Sequence, residues 1–194
     1  MKKLLVTLYG TSPLIMHSPK TVNPLHPIAR EMKQYTSKRK KTEEDLLRIS
    51  DLEWEAGVYW DENIGLHIPN ECISATLKSG AKFNKNGAAV ARYCHIITPL
   101  APLDIGETQN YETLKTDQRF RDVRSVCVQR QRINRTRPRF NTWGTQFEMF
   151  FENDKIDIAA IVAAFENAGN YVGLCEMRDR GYGHFNVRIE EVPE

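Results

Sequence analysis

The chain has 194 residues, enough for one large domain or for one domain with an insertion. Its apolar fraction of 41% argues against general disorder, and no apolar run approaches the roughly 20 residues of a membrane-spanning helix. The formal net charge of +2 conceals a local excess, because residues 115–140 hold nine basic and two acidic side chains.

The first third of the chain predicts a strand followed by two helices. Residues 4–9 are apolar on both faces apart from one threonine, as expected of a strand in the interior of a sheet. Pro27 suits the first position of a short helix over residues 27–35. Thr42 suits the N-cap of a second helix, whose first turn is acidic. We expect these two helices to form an insertion at approximately residues 27–56.

The middle of the chain predicts a hairpin over residues 57–68 and a helix that begins near residue 70. Residues 121–131 alternate as a strand does. We expect residues 136–139 to end that strand, because they include a proline. Residues 143–151 then predict the return strand.

The end of the chain predicts a helix, a glycine-rich turn and a strand. Residues 156–172 are amphipathic, with Asp154 or Asp157 as the cap of the helix, and residues 185–192 alternate. Without the helical insertion, the order of elements approximates the β-α-β-β-α-β unit of ferredoxin-like (RRM-like) proteins. We therefore expect a single α+β domain over residues 1–194, with helices on one face of an antiparallel sheet.

The basic excess of residues 115–140 is arginine apart from one lysine. Arginine binds phosphate bidentately and stacks on bases, whereas lysine acts as a point charge. The segment therefore predicts either a surface for single-stranded nucleic acid or a charged hairpin whose arginines pair with acidic residues elsewhere. A second basic patch follows the first predicted helix. The binding candidates from these regions are Lys38, Arg39, Lys40, Arg119, Arg121, Arg124, Arg130, Arg132, Arg135, Arg137, Arg139, Phe140 and Trp143.

A glycine-rich turn occupies residues 173–184. Its glycines allow positive φ and let backbone N–H groups approach an anion, while two arginines add charge and a tyrosine adds a stacking face. The alternative interpretation is a surface loop that needs glycine for its turn geometry. The binding candidates from this turn are Arg178, Arg180, Gly181, Tyr182 and Gly183.

Patterns typical of catalysis or metal binding are sparse. The four cysteines are scattered without C-x-x-C spacing, so we expect free core thiols and no metal site. The sequence lacks a G-x-x-x-x-G-K-[ST] motif and the clustered carboxylates of a two-metal nuclease. His17 and His184 are placed where they could meet a phosphodiester, and we expect a phosphate contact or hydrogen bond from them rather than catalysis.

The turn resembles the glycine-rich loop of the RAMP superfamily of CRISPR-associated RNA-binding proteins. That loop typically ends in a basic residue, glycine, an aromatic or apolar residue and glycine, which Arg-Gly-Tyr-Gly at residues 180–183 matches. Cys175 departs from the pattern where a further glycine is common. Within the superfamily, the size and the insertion are most similar to backbone subunits that polymerise along a guide RNA. The chain is also similar to uncharacterised early proteins of tailed bacteriophages over residues 8–14 and 136–140.

These features predict a non-catalytic protein that binds single-stranded nucleic acid. The phage resemblance implies single-stranded DNA of replication or recombination rather than RNA, and the backbone-subunit resemblance implies a homo-oligomer or filament assembled side by side along the strand. We expect no cofactor, no membrane contact and a cytoplasmic location, in the host cell if the protein is phage-encoded. Two alternatives are a metal-independent RNase of the RAMP type, with His184 as its candidate acid or base, and a phage protein-interaction module that mimics a CRISPR backbone subunit.

Overall fold

The computed structural model describes residues 1–128 and 131–193 of the chain. Within them the protein is α+β, with six α-helices and mostly antiparallel strands, which confirms the predicted class. The chain divides into two compact units. Unit 1 contains Met1–Leu14, Trp60–Thr108 and Asn141–Glu194, and unit 2 contains Ile15–Tyr59 and Gln109–Phe140.

The elements are numbered in chain order over both units. The strands are β1 (Lys2–Gly10), β2 (Leu14–Ile15), β3 (Trp60–Asp61), β4 (Gly65–Pro69), β5 (Cys94–Ile96), β6 (Leu100–Asp104), β7 (Arg121–Val128), β8 (Gln131–Phe140), β9 (Gly144–Phe151) and β10 (Phe185–Val192). The α-helices are α1 (Pro27–Thr36), α2 (Glu43–Gly57), α3 (Asn70–Ala81), α4 (Gly87–Tyr93), α5 (Tyr111–Thr116) and α6 (Ile158–Asn167). Among the described residues, no helix is long and apolar enough to cross a bilayer.

The sheet of unit 1 has β1 in its interior. Six strands follow in the order β10-β1-β9-β6-β4-β3, and β5 pairs with β9. β1 is antiparallel to both of its neighbours. Successive side chains of a strand point to opposite faces, and accordingly Leu4, Val6 and Leu8 are fully buried while the residues between them are partly exposed. The predicted interior strand over residues 4–9 is confirmed.

Helices α3 and α6 pack together in unit 1. Gly80 of α3 lies so close to α6 that an added Cβ would collide with the Ala164 carbonyl oxygen. The carboxylate of Asp157 accepts the N–H of Ala159 at 3.2 Å, so Asp157 is the cap of α6. The Phe165 ring of α6 packs against a ring of β9 with centroids 6.1 Å apart. These contacts fix α6 to both the sheet and α3.

Helices α1 and α2 of unit 2 lie where the insertion was predicted. The Thr42 hydroxyl accepts the N–H of Asp45 at 3.2 Å, and the Asp45 carboxylate accepts the N–H of Thr42 at 3.1 Å. This reciprocal capping box satisfies two N–H groups that a helix start leaves without partners. The predicted start of α2 is confirmed, and the helix ends at Gly57.

Strands β7 and β8 form an antiparallel hairpin within a three-stranded sheet of order β2-β8-β7. β8 continues through Pro138, so the expected end of the strand at residues 136–139 is wrong. A proline cannot donate a hydrogen bond, but the Pro138 carbonyl still accepts the N–H of Met16 at 3.0 Å. At Pro138, strand β8 therefore keeps a backbone hydrogen bond to the residue that follows β2.

Candidate nucleic-acid interface

The predicted binding residues divide between the two units. Unit 2 holds the lysine-rich patch after α1 and the β7–β8 hairpin. Unit 1 holds Trp143 and the glycine-rich turn. Arg130 lies outside the described residues. Each unit thus carries its own candidate surface.

Two hairpin arginines are bound to carboxylates of helix α2. Arg121 Nη2 lies 2.6 Å from Asp51, and its side chain is 7% exposed. Arg135 forms an ion pair with Glu53, whose second oxygen accepts the N–H of Thr136 at 2.8 Å. These pairs hold α2 to the hairpin and neutralise the charge of both arginines. The alternative interpretation, pairing with acidic residues, is correct for these two.

Two further arginines pair with aspartates close by in the sequence. Arg124 donates to Asp122 at 2.8 and 3.0 Å, and Arg119 donates to Asp117 at 2.8 Å. Hydrogen bonds from Arg119 lower the pKa of the Asp117 carboxyl below its ordinary value. The prediction that these side chains are available as phosphate ligands is therefore corrected as well, although Arg119 remains exposed to solvent.

The remaining hairpin arginines have different surroundings. Arg132 is exposed on β8, and Arg137 is half-buried on the same strand. Neither makes an ion pair with any residue that the structure describes. Arg139 is half-buried and interacts with a neighbour. Among the hairpin arginines that the structure describes, Arg132 is thus exposed and without an ion pair, whereas Nε and Nη1 of Arg137 are buried.

The basic patch after α1 is partly tied to the start of α2. Lys38 Nζ lies 2.6 Å from the Asp45 carboxylate and 5.2 Å from the centre of the Tyr35 ring. The hydrogen bond from Lys38, supported by the N–H of Thr42, lowers the pKa of Asp45. Arg39 and the two lysines that follow it are exposed, with no ion pair to a described residue. The patch therefore offers cations beyond Lys38.

Charge follows the division of the chain into units. Unit 2 carries 17 Lys and Arg against 10 Asp and Glu, a formal charge of +7. Unit 1 carries 10 against 15, a formal charge of −5. Even with its internal ion pairs, unit 2 keeps an excess of positive charge that its own carboxylates cannot neutralise.

The aromatic rings predicted to stack on bases are buried. Phe140 is 0% exposed and packs against Phe120 with ring centroids 5.7 Å apart. Trp143 is 3% exposed, and its indole N–H donates to the Ser12 carbonyl at 2.8 Å. Neither ring presents a face to a base, so the stacking role predicted for both is wrong. Large aromatic rings contribute most when they are buried in a core.

The glycines of the turn use their N–H groups inside unit 1. The N–H of Gly173 donates to Ala168 at 2.8 Å, that of Gly181 to Arg178 at 3.2 Å, and that of Gly183 to Pro13 at 2.9 Å. An N–H group that already donates to a carbonyl cannot also bind an anion well. The expectation that these glycines bind an anion through their backbone N–H groups is therefore wrong.

The glycines are required for backbone geometry instead. Gly173 and Gly183 have φ values of 82° and 72°, and a Cβ on either would collide with a carbonyl oxygen across the turn. Tyr182 is half-buried and makes contacts of its own. The exposed part of the turn is Arg178–Arg180 together with Gly181. Charge from this turn would thus come from side chains, not from the main chain.

Sequence reasoning missed an exposed aromatic pair in unit 1. The rings of Phe83 and Tyr171 are stacked with centroids 5.4 Å apart and planes inclined by 29°. The two residues are 57% and 66% exposed, unusually high for large aromatic side chains. Together they present an open ring surface, named here the Phe83–Tyr171 surface.

Cations without carboxylate partners lie in the segment of chain around Phe83. Lys78, Lys82, Lys85 and Arg92 are exposed, and none pairs with a described acidic residue. The available signal was the absence of any Asp or Glu between positions 71 and 104. In a unit of net negative charge, that gap marks a locally basic surface.

Neither protein-family models nor curated proteins match this chain.

The histidine of the glycine-rich turn makes hydrogen bonds within unit 1. His184 Nδ1 lies 2.8 Å from the Gly169 carbonyl, and its backbone N–H donates to Ser12. Among described residues, no three His, Cys, Asp or Glu side chains cluster as metal ligands. The cysteines are free, but Cys127 is exposed, so the expected core position is wrong for that thiol. Burial raises the pKa of Cys94 to about 11.

Proposed function

We propose that the protein binds single-stranded nucleic acid without cleaving it, and that unit 2 supplies the main phosphate contacts. The observation that carries this proposal is the segregation of charge, with +7 on unit 2 and −5 on unit 1. A polyanion is attracted to such a unit and releases its counterions on binding. A neutral metabolite would gain nothing from the same distribution.

The phosphate contacts come from cations without carboxylate partners. In unit 2 these include the exposed Arg132 of β8 and the exposed Arg39, Lys40 and Lys41 after α1. A guanidinium that is not engaged by a carboxylate keeps its donors for a bidentate contact with phosphate. The paired arginines of the hairpin instead keep that surface rigid.

Base stacking comes from the Phe83–Tyr171 surface rather than from the buried rings. Exposed aromatic faces bind any base, because every base has a π-face. Lys82 and Lys85 flank Phe83 in the sequence and supply charge for the adjoining phosphates. This combination of rings and cations is typical of sequence-tolerant binding to single strands.

The strand order supports a ferredoxin-like core in unit 1. The strands β10, β1, β9 and β6 are consecutive and antiparallel, and α3 and α6 stand in the two crossover positions of the β-α-β-β-α-β unit. The proposal retains the RAMP resemblance, a phage origin and side-by-side assembly along single-stranded DNA. Electron microscopy with and without a long single strand tests the assembly: filaments that form only with the strand support it, and isolated particles in both samples contradict it.

Salt-dependent binding tests the function directly. Fluorescence anisotropy with a labelled oligothymidylate should give log K falling linearly with log salt, with a slope of about −0.7 per neutralised phosphate. Arg132→Gln and Lys40→Gln should each make the slope shallower by about 0.7. Lys155→Gln in unit 1 is the matched control and should change nothing, because Lys155 already faces Asp154. Affinity that does not change with salt contradicts the proposal.

A further inference from the structure

Two of the four free cysteines contact each other in unit 1, although they are far apart in the chain. Cys72 belongs to the first turn of α3, and Cys175 belongs to the glycine-rich turn. Their thiols are hydrogen-bonded to each other. Both residues are half-buried, at the edge of the core rather than enclosed in it.

The hydrogen bonds around this thiol pair hold α3 against the turn. Thr76 follows Cys72 by four residues, so the two side chains share one face of α3. The Thr76 hydroxyl donates to the Gly173 carbonyl at 3.1 Å, and Arg178 Nη1 donates to the same hydroxyl at 3.5 Å. Cys175 lies between these two turn residues in the sequence. The contact between the thiols is therefore supported by neighbouring contacts of the same two segments.

The main chain is strained at Cys175. Its φ is 63°, in the left-handed region that favours glycine. Met177 also has a positive φ, but its side chain is buried in the core of unit 1. Cys175 is only half-buried, and its thiol is directed to Cys72. Strain of this kind clusters at functional positions, where the surrounding structure maintains it.

The two thiols differ in chemical character. Cys72 lies in the first turn of α3, where the positive end of the helix dipole favours a thiolate. Cys175 retains its proton, because the hydrogen bond with Cys72 and burial raise the pKa of its thiol. A nucleophilic thiolate next to a protonated second thiol is the arrangement in which an oxidised cysteine is converted to a disulfide.

We propose that Cys72 and Cys175 form a reversible disulfide when the protein meets hydrogen peroxide. The Cys72 thiolate attacks one peroxide oxygen, the O–O bond breaks and hydroxide leaves, so that Cys72 becomes a sulfenic acid. The Cys175 sulfur then attacks the Cys72 sulfur; the S–S bond forms, the S–O bond breaks, and the Cys175 proton leaves with the hydroxide as water. In total, two thiols lose two electrons and two protons, and the peroxide is reduced to two molecules of water. A thiol reductant reverses the reaction by exchange.

The disulfide would join α3 to the segment that carries Tyr171. Phe83 lies in the 3₁₀ turn Lys82–Asn84, which directly continues α3. Tyr171 precedes Cys175 by four residues. The bond therefore ties together the two segments of chain that form the Phe83–Tyr171 surface. This inference does not depend on whether that surface binds nucleic acid.

The first experiment maps the bond in the wild type, so it needs no variant to fold. Dilute protein is treated with hydrogen peroxide, remaining thiols are blocked with N-ethylmaleimide, and a non-reducing digest is read by mass spectrometry. We expect a linked pair of peptides that contains Cys72 and Cys175 and that dithiothreitol separates. Oxidation of Cys72 to a sulfinic acid without the link, or no reaction at either thiol, overturns the proposal.

Cys127→Ser is the matched control for this map. It removes the exposed thiol, and with it disulfides between molecules, and should form the same link as the wild type. Cys72→Ser and Cys175→Ser should each lose the link. If the only disulfide in the wild type joins Cys127 of two molecules, the proposal is overturned.

The second experiment compares the Tm of the oxidised and reduced wild type. The link closes a loop of about 100 residues in the unfolded chain, so oxidation should raise the Tm by roughly 10 °C. Cys127→Ser should keep the rise, and Cys72→Ser should lose it. A Tm that stays constant or falls in the oxidised wild type shows that the sulfurs meet only by distorting unit 1, and overturns the proposal. A rise that persists in Cys72→Ser assigns it to another modification and does the same.

The proposed function and this inference fail separately. A link between Cys72 and Cys175 without any binding of oligonucleotides contradicts the proposed function and leaves the thiol pair assigned. Salt-dependent binding of oligonucleotides by a protein that never forms the link does the reverse.

Discussion

Arg121 of β7 and Asp51 of α2 are joined by an ion pair of 2.6 Å, and the Arg121 guanidinium also donates to the Lys115 carbonyl at 2.7 and 3.0 Å. An arginine with these three contacts to two residues holds the hairpin to α2 and to the segment that precedes it. Its charge serves the stability of unit 2 rather than a ligand.

Arg121→Gln should therefore lower the free energy of unfolding by about 2 kcal/mol, between the values for exposed and fully buried pairs, because Asp51 is partly exposed. Arg132→Gln, on the exposed part of β8, should change it by less than about 0.5 kcal/mol. Urea unfolding followed by tryptophan fluorescence measures both. Equal losses would show that the Arg121 pair contributes no more than a surface charge.

Gly183→Ala should destabilise the protein more than Gly181→Ala. Both glycines have positive φ, which costs a residue with a Cβ about 1–2 kcal/mol. At Gly183 the new methyl group also collides with the Leu174 carbonyl, whereas at Gly181 it meets open space. Thermal unfolding of the two variants checks this difference. Equal Tm values would show that the close approach of the main chain at Gly183 relaxes without cost.

Phe83→Ala and Tyr171→Ala should each weaken binding to a single strand by about 1–3 kcal/mol, the usual contribution of a stacked base. The salt slope should not change, because no charge is removed. Tyr9→Ala removes another exposed ring of unit 1 and is the matched control. If Tyr9→Ala weakens binding as much as the other two, the Phe83–Tyr171 surface has no special role.

The capping box at the start of α2 makes stability depend on pH. The pKa of Asp45 is lowered in the folded protein, so its ionised form stabilises the fold above the ordinary pKa, and this stabilisation is lost as the pH falls through the lowered value. The difference in unfolding free energy between wild type and Asp45→Ala should thus shrink from about pH 5 to pH 2. Chemical denaturation at several pH values measures it. A difference that stays constant or grows on acidification contradicts the assignment.

Cys127 should react with iodoacetamide long before Cys94 or Cys175 at pH 8. The thiolate is the nucleophile; burial raises the pKa of Cys94 to about 11. A hydrogen bond with the Cys72 thiol, together with burial, raises that of Cys175 well above its ordinary value. Mass spectrometry of time points locates each adduct, and Cys127→Ser should remove the early one. Alkylation of Cys94 at the rate of Cys127 would contradict the burial of the Cys94 thiol.

The sequence by itself determined the features that depend on neighbours within one turn or one strand. Thr42 and Asp157 cap helices through N–H groups two or three residues away, and the alternation in β9 specifies its buried face. The positive φ of the turn glycines was likewise implied by residue type. Such signals survive without knowledge of the fold because the interacting groups are adjacent in the chain.

The tertiary structure alone decided which charges and rings remain available. Asp51 lies 70 residues before Arg121, and Ser12 lies 131 residues before Trp143, yet these contacts remove both candidates from the surface. The opposite holds for Phe83 and Tyr171, which are far apart in the chain and yet stack with both rings exposed. Composition records how many arginines and aromatic rings a chain has, but their partners depend on long-range packing, which no local pattern encodes.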